Sequence, residues 1–461
     1  MKISFHGATQ GVTGSCHLIQ VAGKNILIDC GLFQGSKEVE ESNANPFGFD
    51  PTTIDYLLLT HAHLDHCGRI PLLVKQGFEG EIITTGATQE LARIIMLDSA
   101  FLNEQDVKRQ NRRKKRKSKA LIEPLYSTED ALHALDFIGR EAKYNKPMDV
   151  AGGIRANFID AGHILGSACI FLELEENGKK RTVLFSGDLG SDGSAIIRDP
   201  DKPPHVDVVV METTYGDRSH KELGPSIEEL FEAINETVAR GGNVIIPTFA
   251  LERAQELLYY LHEGWKDKRL PRGLQTFLDS PMAISATNVF ARHPECYDEE
   301  TKKLFADGHD PFDFPSLHFT RESIESIALN NIHSGALILS ASGMCTGGRI
   351  RHHLKNNIWR KECSVIFVGY AARGTLARRI VDGAKTVSIF GEEFAVNAKI
   401  YTIGGFSAHA GQNELLAWHR AIGKPQTTYL VHGEIESMQV FAPLLHDTEV
   451  KIAKRGEVYE L

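Results

Sequence analysis

Short apolar runs broken by glycine and asparagine fill the first sixty residues. KISFHG, HLIQVAG, KNILIDCG and IDYLLLTH follow one another in the manner of consecutive β-strands, and Gly23-Lys24-Asn25 is placed to turn a hairpin. The period then lengthens. GRIPLLVKQG and TQELARIIMLDSAFLNEQDVKRQ repeat their apolar residues at three- and four-residue intervals, which predicts helices. TEDALHALDFIGREA predicts another helix, after which IRANFIDAG, CIFLELEENG, RTVLFSGD and VDVVVMET predict strands.

From about residue 225 to 390 helical and strand patterns alternate: SIEELFEAINETVARGG, NVIIPTF, ALERAQELLYYLHEG, LQTFLDS, GALILSASG, CSVIFVGY and TLARRIVDG. Such alternation predicts a parallel sheet covered by helices. Short strands return in FAVNAKIYTIGG and TTYLVHGE, separated by helices. The residues able to do chemistry sit at strand ends in the first half and in the last seventy residues, on either side of the alternating block. One domain inserted into another is therefore the expected topology.

Composition bounds the class. The 461 residues are 42% hydrophobic and 24% charged, as in an ordinary folded protein of two to three domains. No apolar run nears the roughly 18 residues of a membrane helix, and the N-terminus lacks a basic stretch followed by an apolar one, so the expected location is the cytoplasm. Seven scattered cysteines without a C-x-x-C pair predict core residues, neither a disulfide framework nor a cysteine metal site.

Net charge is −9, yet residues 108–119 (KRQNRRKKRKSK) hold nine Lys or Arg and no acid, which leaves 42 basic against 60 acidic residues elsewhere. A local positive run on an acidic body attracts a polyanion; a solvated turn is the other reading.

The densest chemistry is Thr60-His61-Ala62-His63-Leu64-Asp65-His66, after the strand YLLLT. Three imidazoles and a carboxylate within six residues would each need a buried polar partner as core filler, whereas a metal ion satisfies them together. Further donors follow later strands: Asp160 and His163 in DAGH, Asp188 in SGD, His432 in VHG. Together they suffice for two ions of a hydrolytic centre suited to phosphoesters.

HAHLDH, DAGHILGSA, LFSGDLG and Asp29 of LIDCG resemble the ligand-bearing motifs of the metallo-β-lactamase fold. METTYGDR with Glu212, GGFSAHA with His409 and LVHGE with His432 resemble the three extra motifs of the β-CASP nucleases, in the family's order along nearly the whole chain. The chain looks most similar to short prokaryotic relatives of the nuclease subunit of the cleavage and polyadenylation machinery. The DNA-processing branch typically carries Val where this chain has His432, so the comparison favours RNA.

The resemblance implies an α/β architecture: a metallo-β-lactamase αββα sandwich formed by residues 1–211 and completed by 394–461, with an inserted α/β β-CASP domain at 212–393, a parallel sheet flanked by helices that covers the metal cleft and grips the strand. It implies two Zn2+ ions, with Mn2+ as the other candidate. His61, His63 and His163 would hold one ion and Asp65, His66 and His432 the other, with Asp188 bridging. Asp29 would orient a ligand imidazole. Asp65 would position a hydroxide bound to the metals, and His409, paired with Glu212, would stabilise or protonate the departing oxygen.

Ser342, Gly343, Thr346, Gly347 and Gly348 form a Gly-rich loop whose N–H groups could meet phosphate, and Arg253, Arg349 and Arg373 could neutralise it, with Tyr215 and Phe249 stacking on bases; a tight turn, surface ion pairs and packed aromatics are the other readings. The expected activity is hydrolysis of single-stranded RNA, as an endonuclease and also in a 5′-to-3′ exonuclease mode, leaving 5′-phosphate and 3′-hydroxyl ends. The basic run is expected to help hold RNA. No membrane partner is expected, and relatives are often homodimers. Two other functions compete: a small-molecule metallohydrolase acting on a lactone, thioester or lactam at the same centre, and a non-catalytic RNA-binding scaffold.

Overall fold

A computed structural model of the chain describes residues 1–115, 120–369, 371–372 and 374–461. They form two compact units, Met1–Ser194 with Asp199–Ser219 and His409–Leu461, and Ala195–Arg198 with His220–Ala408. The first unit is therefore discontinuous in sequence.

Two seven-stranded sheets build the first unit. In one, Lys2–Gly7, Cys16–Val21 and Lys24–Ile28 pair antiparallel, and Tyr56–Leu58, Glu81–Thr85 and Ile138–Ala142 extend it in parallel, with Val458–Glu460 on the opposite edge. In the other, Met148–Ala151, Ile154–Asp160, Ala168–Glu176 and Lys179–Phe185 form an antiparallel meander, continued in parallel by Val208–Glu212, Thr427–Val431 and Glu449–Ile452. The sheets bury one core between them, where Ile3, Phe5, Ile19 and Ile26 meet Phe158, Ile170, Val183 and Val210.

Residues one position along point the other way. Ile159, Leu184, Val209 and Met211 pack against Leu415 and Trp418 of the helix Gln412–Ile422 and Met438 and Phe441 of Ile435–Phe441. Burial on both faces explains why VDVVVMET is apolar at consecutive positions instead of alternating. On the far side, the helix Gly86–Lys115 packs on Glu81–Thr85 and Ile138–Ala142. The order of layers is helix, sheet, sheet, helix.

The second unit is a six-stranded, wholly parallel sheet in the order Leu317–Phe319, Gln275–Leu278, Ala336–Ser340, Val244–Pro247, Ser364–Val368, Lys399–Ile403. Helices join the strands, as the alternating pattern predicts. Lys399–Ile403 pairs with Ser364–Val368, so the chain returns to the first unit only at His409 and not at 394.

Three local expectations are corrected. The predicted helix TEDALHALDFIGREA ends at Ala134, and Ile138–Ala142 is a strand, because it finds a ladder on Glu81–Thr85 and an Arg140–Glu81 ion pair that a helix would forfeit. The hairpin turns at Ala22-Gly23, both with positive φ (51° and 73°), which matches the two-residue connection between the paired Val21 and Lys24. The basic run is no turn at its start: residues 108–115 continue the helix Gly86–Lys115, and residues 116–119 lie outside the described residues. The seven cysteines are buried and free, as expected.

Candidate metal centre

Each donor leaves the end of a strand of the first unit. His61, His63, Asp65 and His66 follow Tyr56–Leu58, His163 follows Ile154–Asp160, Asp188 follows Lys179–Phe185, and His432 follows Thr427–Val431. These loops touch backbone to backbone. A Cβ on Gly31 would lie 1.5 Å from the Asp65 carbonyl oxygen, and one on Gly190 would lie 1.7 Å from that of Gly162, so glycine is required at both.

The seven donors converge in two groups. His63 Nδ1 lies 3.1 Å from both His61 Nε2 and His163 Nε2, and Asp188 Oδ2 lies 3.5 and 3.6 Å from the latter two nitrogens. A tetrahedron with bonds of about 2.1 Å has edges of about 3.4 Å, which these separations match. In the second group His432 Nε2 lies 3.3 Å from His66 Nε2 and 3.5 Å from Asp65 Oδ2, and Asp188 Oδ1 stands 3.3 Å from His66 Nε2. Asp188 thus turns one carboxylate oxygen to each group.

The chemistry of the set fits divalent cations. Asp188 Oδ1 is buried without a hydrogen-bond partner, an arrangement costly unless a cation faces it. Burial drives the His61 imidazole well below its usual pKa and that of His63 down to about 4, so both rings are neutral donors. His66 is raised, against the effect of its burial, because Asp188 and Asp29 flank it. A bound cation would supply the positive charge that a proton on His66 otherwise provides. Asp188 is held ionised in spite of burial by its histidine neighbours, His66 among them, and Asp65 likewise by its hydrogen bond from His432.

Asp29 stands behind the donors. Its carboxylate meets His66 Nδ1 at 2.7 Å and accepts the Thr60 N–H and hydroxyl at 2.8 and 2.9 Å. Its backbone is left-handed (φ 60°), as is that of His432 (φ 48°), an uncommon conformation for either residue type.

Glu212 is fully buried and faces His409 Nδ1 at 3.3 Å. Its oxygens also accept the N–H groups of Leu189 at 2.7 Å and Thr214 at 3.2 Å, leaving it committed to orienting its neighbours. Burial opposes a charge on His409, but Glu212, aided by Asp188 and Asp65, pushes its pKa up to about 9. The His409 ring lies 4.5 Å from that of His163 and 6.1 Å from that of Tyr215.

Sequence reasoning passed over three supporting residues. Thr214 Oγ1 lies 3.1 Å from His432 Nδ1, and Ser15 and His17 line a small cavity behind Asp29 and His66. Burial pushes the His17 imidazole down to about 3. Nothing local marks them, since hydroxyl residues and a histidine in a strand are common in turns and cores.

In the second unit the Gly-rich loop joins the strand Ala336–Ser340 to the helix Ile350–Asn357. Thr346 and Gly348 are exposed, Ser342, Gly343 and Gly347 half-buried, and Gly343 lies against the ring of the exposed Phe249. Arg349 is occupied: its guanidinium binds Asp279 at 2.8 Å and the carbonyl oxygens of Thr320 and Arg321. Arg253 is buried and paired with Glu256. Arg373 lies outside the described residues.

Comparison with known proteins agrees with this fold. Residues 9–248 match the metallo-beta-lactamase superfamily, residues 254–380 the Beta-Casp domain and residues 393–454 the Zn-dependent metallo-hydrolase RNA specificity domain. The chain is 39% identical to Ribonuclease TTHA0252 of Thermus thermophilus, over 99% of each. It is 30% identical to an RNase J-like protein of Methanocaldococcus jannaschii, over 97% of this chain and 96% of that one. The transcription termination factor FttA of the same organism is 29% identical over 96% of this chain and 68% of its own length. A crystal structure of a protein of unknown function from Enterococcus faecalis V583 shares the fold, with a TM-score of 0.56 at 13% identity over 100% of this chain and 99% of that one. A two-sheet sandwich with convergent His and Asp donors at its strand ends is the architecture of a metallo-hydrolase. The chain belongs to the β-CASP ribonuclease family of the metallo-β-lactamase fold.

Proposed function

We propose that this chain hydrolyses single-stranded RNA with two zinc ions, cutting internally and also trimming from the 5′ end, to leave 5′-phosphate and 3′-hydroxyl termini. As a member of its family it is a metal-dependent hydrolase acting on RNA. The observation that carries the finer reading is the pairing of the donor set with Glu212 and His409. A dinuclear centre for small esters has no need of a buried carboxylate holding a cationic imidazole beside it.

His61, His63 and His163 would hold one ion and Asp65, His66 and His432 the other, with Asp188 offering one carboxylate oxygen to each set. When bound, the ions lower the pKa of water toward neutrality and offset the negative charge of the phosphate. Asp65 accepts a hydrogen bond from the attacking water and aims it at phosphorus. Asp29 and Thr60 fix the ring of His66. His409, kept cationic by Glu212, carries on Nε2 the proton that the departing 3′-oxygen takes.

The test is digestion of end-labelled RNA bearing either a 5′-hydroxyl or a 5′-monophosphate by zinc-loaded protein. Internal cutting yields a ladder from both RNAs, and trimming yields mononucleotides from the 5′ end. Intact RNA alongside hydrolysis of a thioester or lactone would replace this reading with that of a small-molecule hydrolase. Absence of zinc by elemental analysis would replace it with a scaffold.

A further inference from the structure

We infer that the exposed face of residues 101–115, the second half of the helix Gly86–Lys115, is a remote binding site for single-stranded RNA, which holds long substrates by a part of the strand far from the cut. The inference rests on the ribonuclease reading above and adds a place and a length dependence to it.

Phe101, Gln105, Lys108, Arg112 and Lys115 recur at four- and three-residue spacing and so share one helical face. All five are exposed, Phe101 by 51%, and Leu102 beside it by 52%. Lys108 and Arg109 have side chains 61% exposed. Two anchors hold this part of the helix in place. Glu104 accepts the Thr128 N–H at 2.8 Å, and the Asn111 amide bonds both backbone groups of Ile122, at 2.8 and 3.0 Å. The acids on the segment are Glu104, 3.6 Å from Lys108, and Asp106, 2.8 Å from Arg109, which leaves four of its six basic residues in excess, Arg112 and Lys115 among them.

Lys108 and Arg112 repel one another at four-residue spacing. Glu104 and Asp106 offset part of this repulsion, and a return for the rest lies in a ligand of opposite charge. A polyanion supplies that return, and an exposed aromatic beside the cations suits unpaired bases, which stack on it while phosphates meet the Lys and Arg side chains. A membrane surface fits less well. Beyond Leu102 only Val107 is apolar, whereas a helix lying in a bilayer interface needs a continuous apolar face.

The opposite end of the same helix adjoins the metal centre, because Thr85 and Thr88 donate their hydroxyls to the Gly166 carbonyl oxygen, three residues after His163. Thr88 to Lys108 is about 30 Å at ~1.5 Å per residue. Stacked RNA at ~3.4 Å per nucleotide needs about nine nucleotides to cover that distance. A five-nucleotide RNA at the metal centre cannot reach the basic face; a thirty-nucleotide RNA can.

The test compares the wild-type protein with the quadruple variant Lys108→Gln, Arg109→Gln, Arg112→Gln, Lys115→Gln, and with Phe101→Ala. Binding of fluorescein-labelled oligouridylates of 5 and 30 nucleotides is followed by anisotropy with EDTA present, across a salt series. Cleavage of the 5-mer by the zinc-loaded proteins reports fold and centre. For the 30-mer, the quadruple variant should lose more than tenfold in affinity at low salt. Its log–log salt slope should shrink by about 3, at ~0.7 per phosphate contact. Phe101→Ala should lose roughly tenfold. The 5-mer should be bound and cleaved as by wild type.

An unchanged salt slope overturns the inference. So does an equal loss for both RNA lengths, or a variant that loses phosphatidylserine vesicles but keeps RNA. If wild-type protein cleaves neither RNA, the ribonuclease reading falls, and the 30-mer anisotropy still decides this one.

Discussion

Glu212 Oε1 stands 3.3 Å from His409 Nδ1 while the same carboxylate accepts the Leu189 and Thr214 N–H groups. Glu212→Gln keeps the shape and removes the charge. It should lower the single-turnover cleavage rate by about 100-fold, the low end for loss of a general acid, with zinc content unchanged. His409→Ala should do the same, and the double variant should be no worse than the single ones. Loss of metal from either variant would reassign the pair to ion binding.

Asp29 is not one of the seven converging side chains, yet it sets the ring of His66 through a 2.7 Å contact with Nδ1. Asp29→Asn should weaken binding of one zinc by about 10- to 100-fold, the usual effect of losing such an outer partner. Competition with a chromophoric chelator measures this. Equal affinity of both ions in variant and wild type would show that the Thr60 hydroxyl suffices.

In the second unit Asp279 is fully buried and bound by Arg349 at 2.8 Å, His353 at 2.6 Å, Ser326 at 2.6 Å and Thr320 at 2.7 Å. Burial alone would raise its pKa, but the hydrogen bonds from His353, Ser326 and Thr320 hold it down to about 2. Asp279→Ala strands a guanidinium and should cost about 3–5 kcal/mol in urea unfolding, while zinc content stays at the wild-type level. A cost under 1 kcal/mol would mean that water replaces the carboxylate.

Burial lowers the imidazoles of His6 and His419 to about 4. The unfolded chain takes up protons at about pH 6.5 that the folded chain refuses until about pH 4. Their contribution is complete above pH 6.5 and shrinks as pH falls toward 4, by up to about 3 kcal/mol for each. Chelator-treated protein should therefore show a lower urea midpoint at pH 4.5 than at pH 7. His419→Gln should flatten part of that slope; an unaltered slope would locate the pH dependence elsewhere.

The amino-acid sequence alone made several things legible. HAHLDH stands out as a candidate ligand cluster because its donors are close along one loop, and apolar periodicity marks the central strands of the sandwich and of the parallel sheet, though not Glu81–Thr85, Met148–Ala151 or Leu317–Phe319. The strand Ile138–Ala142 was not legible, since IGREA owes its conformation to pairing with Glu81–Thr85. The ion pair of Arg349 was not legible either, since Asp279 lies seventy residues from it along the chain.

Local patterning, then, determined most of the strands and helices, Ile138–Ala142 excepted, and which residue types can hold a cation, because backbone periodicity and side-chain chemistry act over a few residues. Tertiary structure alone decided that Asp188 turns one oxygen to His61 and His163 and the other to His66, that Glu212 meets His409, and that a helix rooted beside His163 carries exposed cations at its far end. Those relationships depend on how two sheets stack and where loops cross, which pairwise contacts between distant segments set and no short stretch of chain contains.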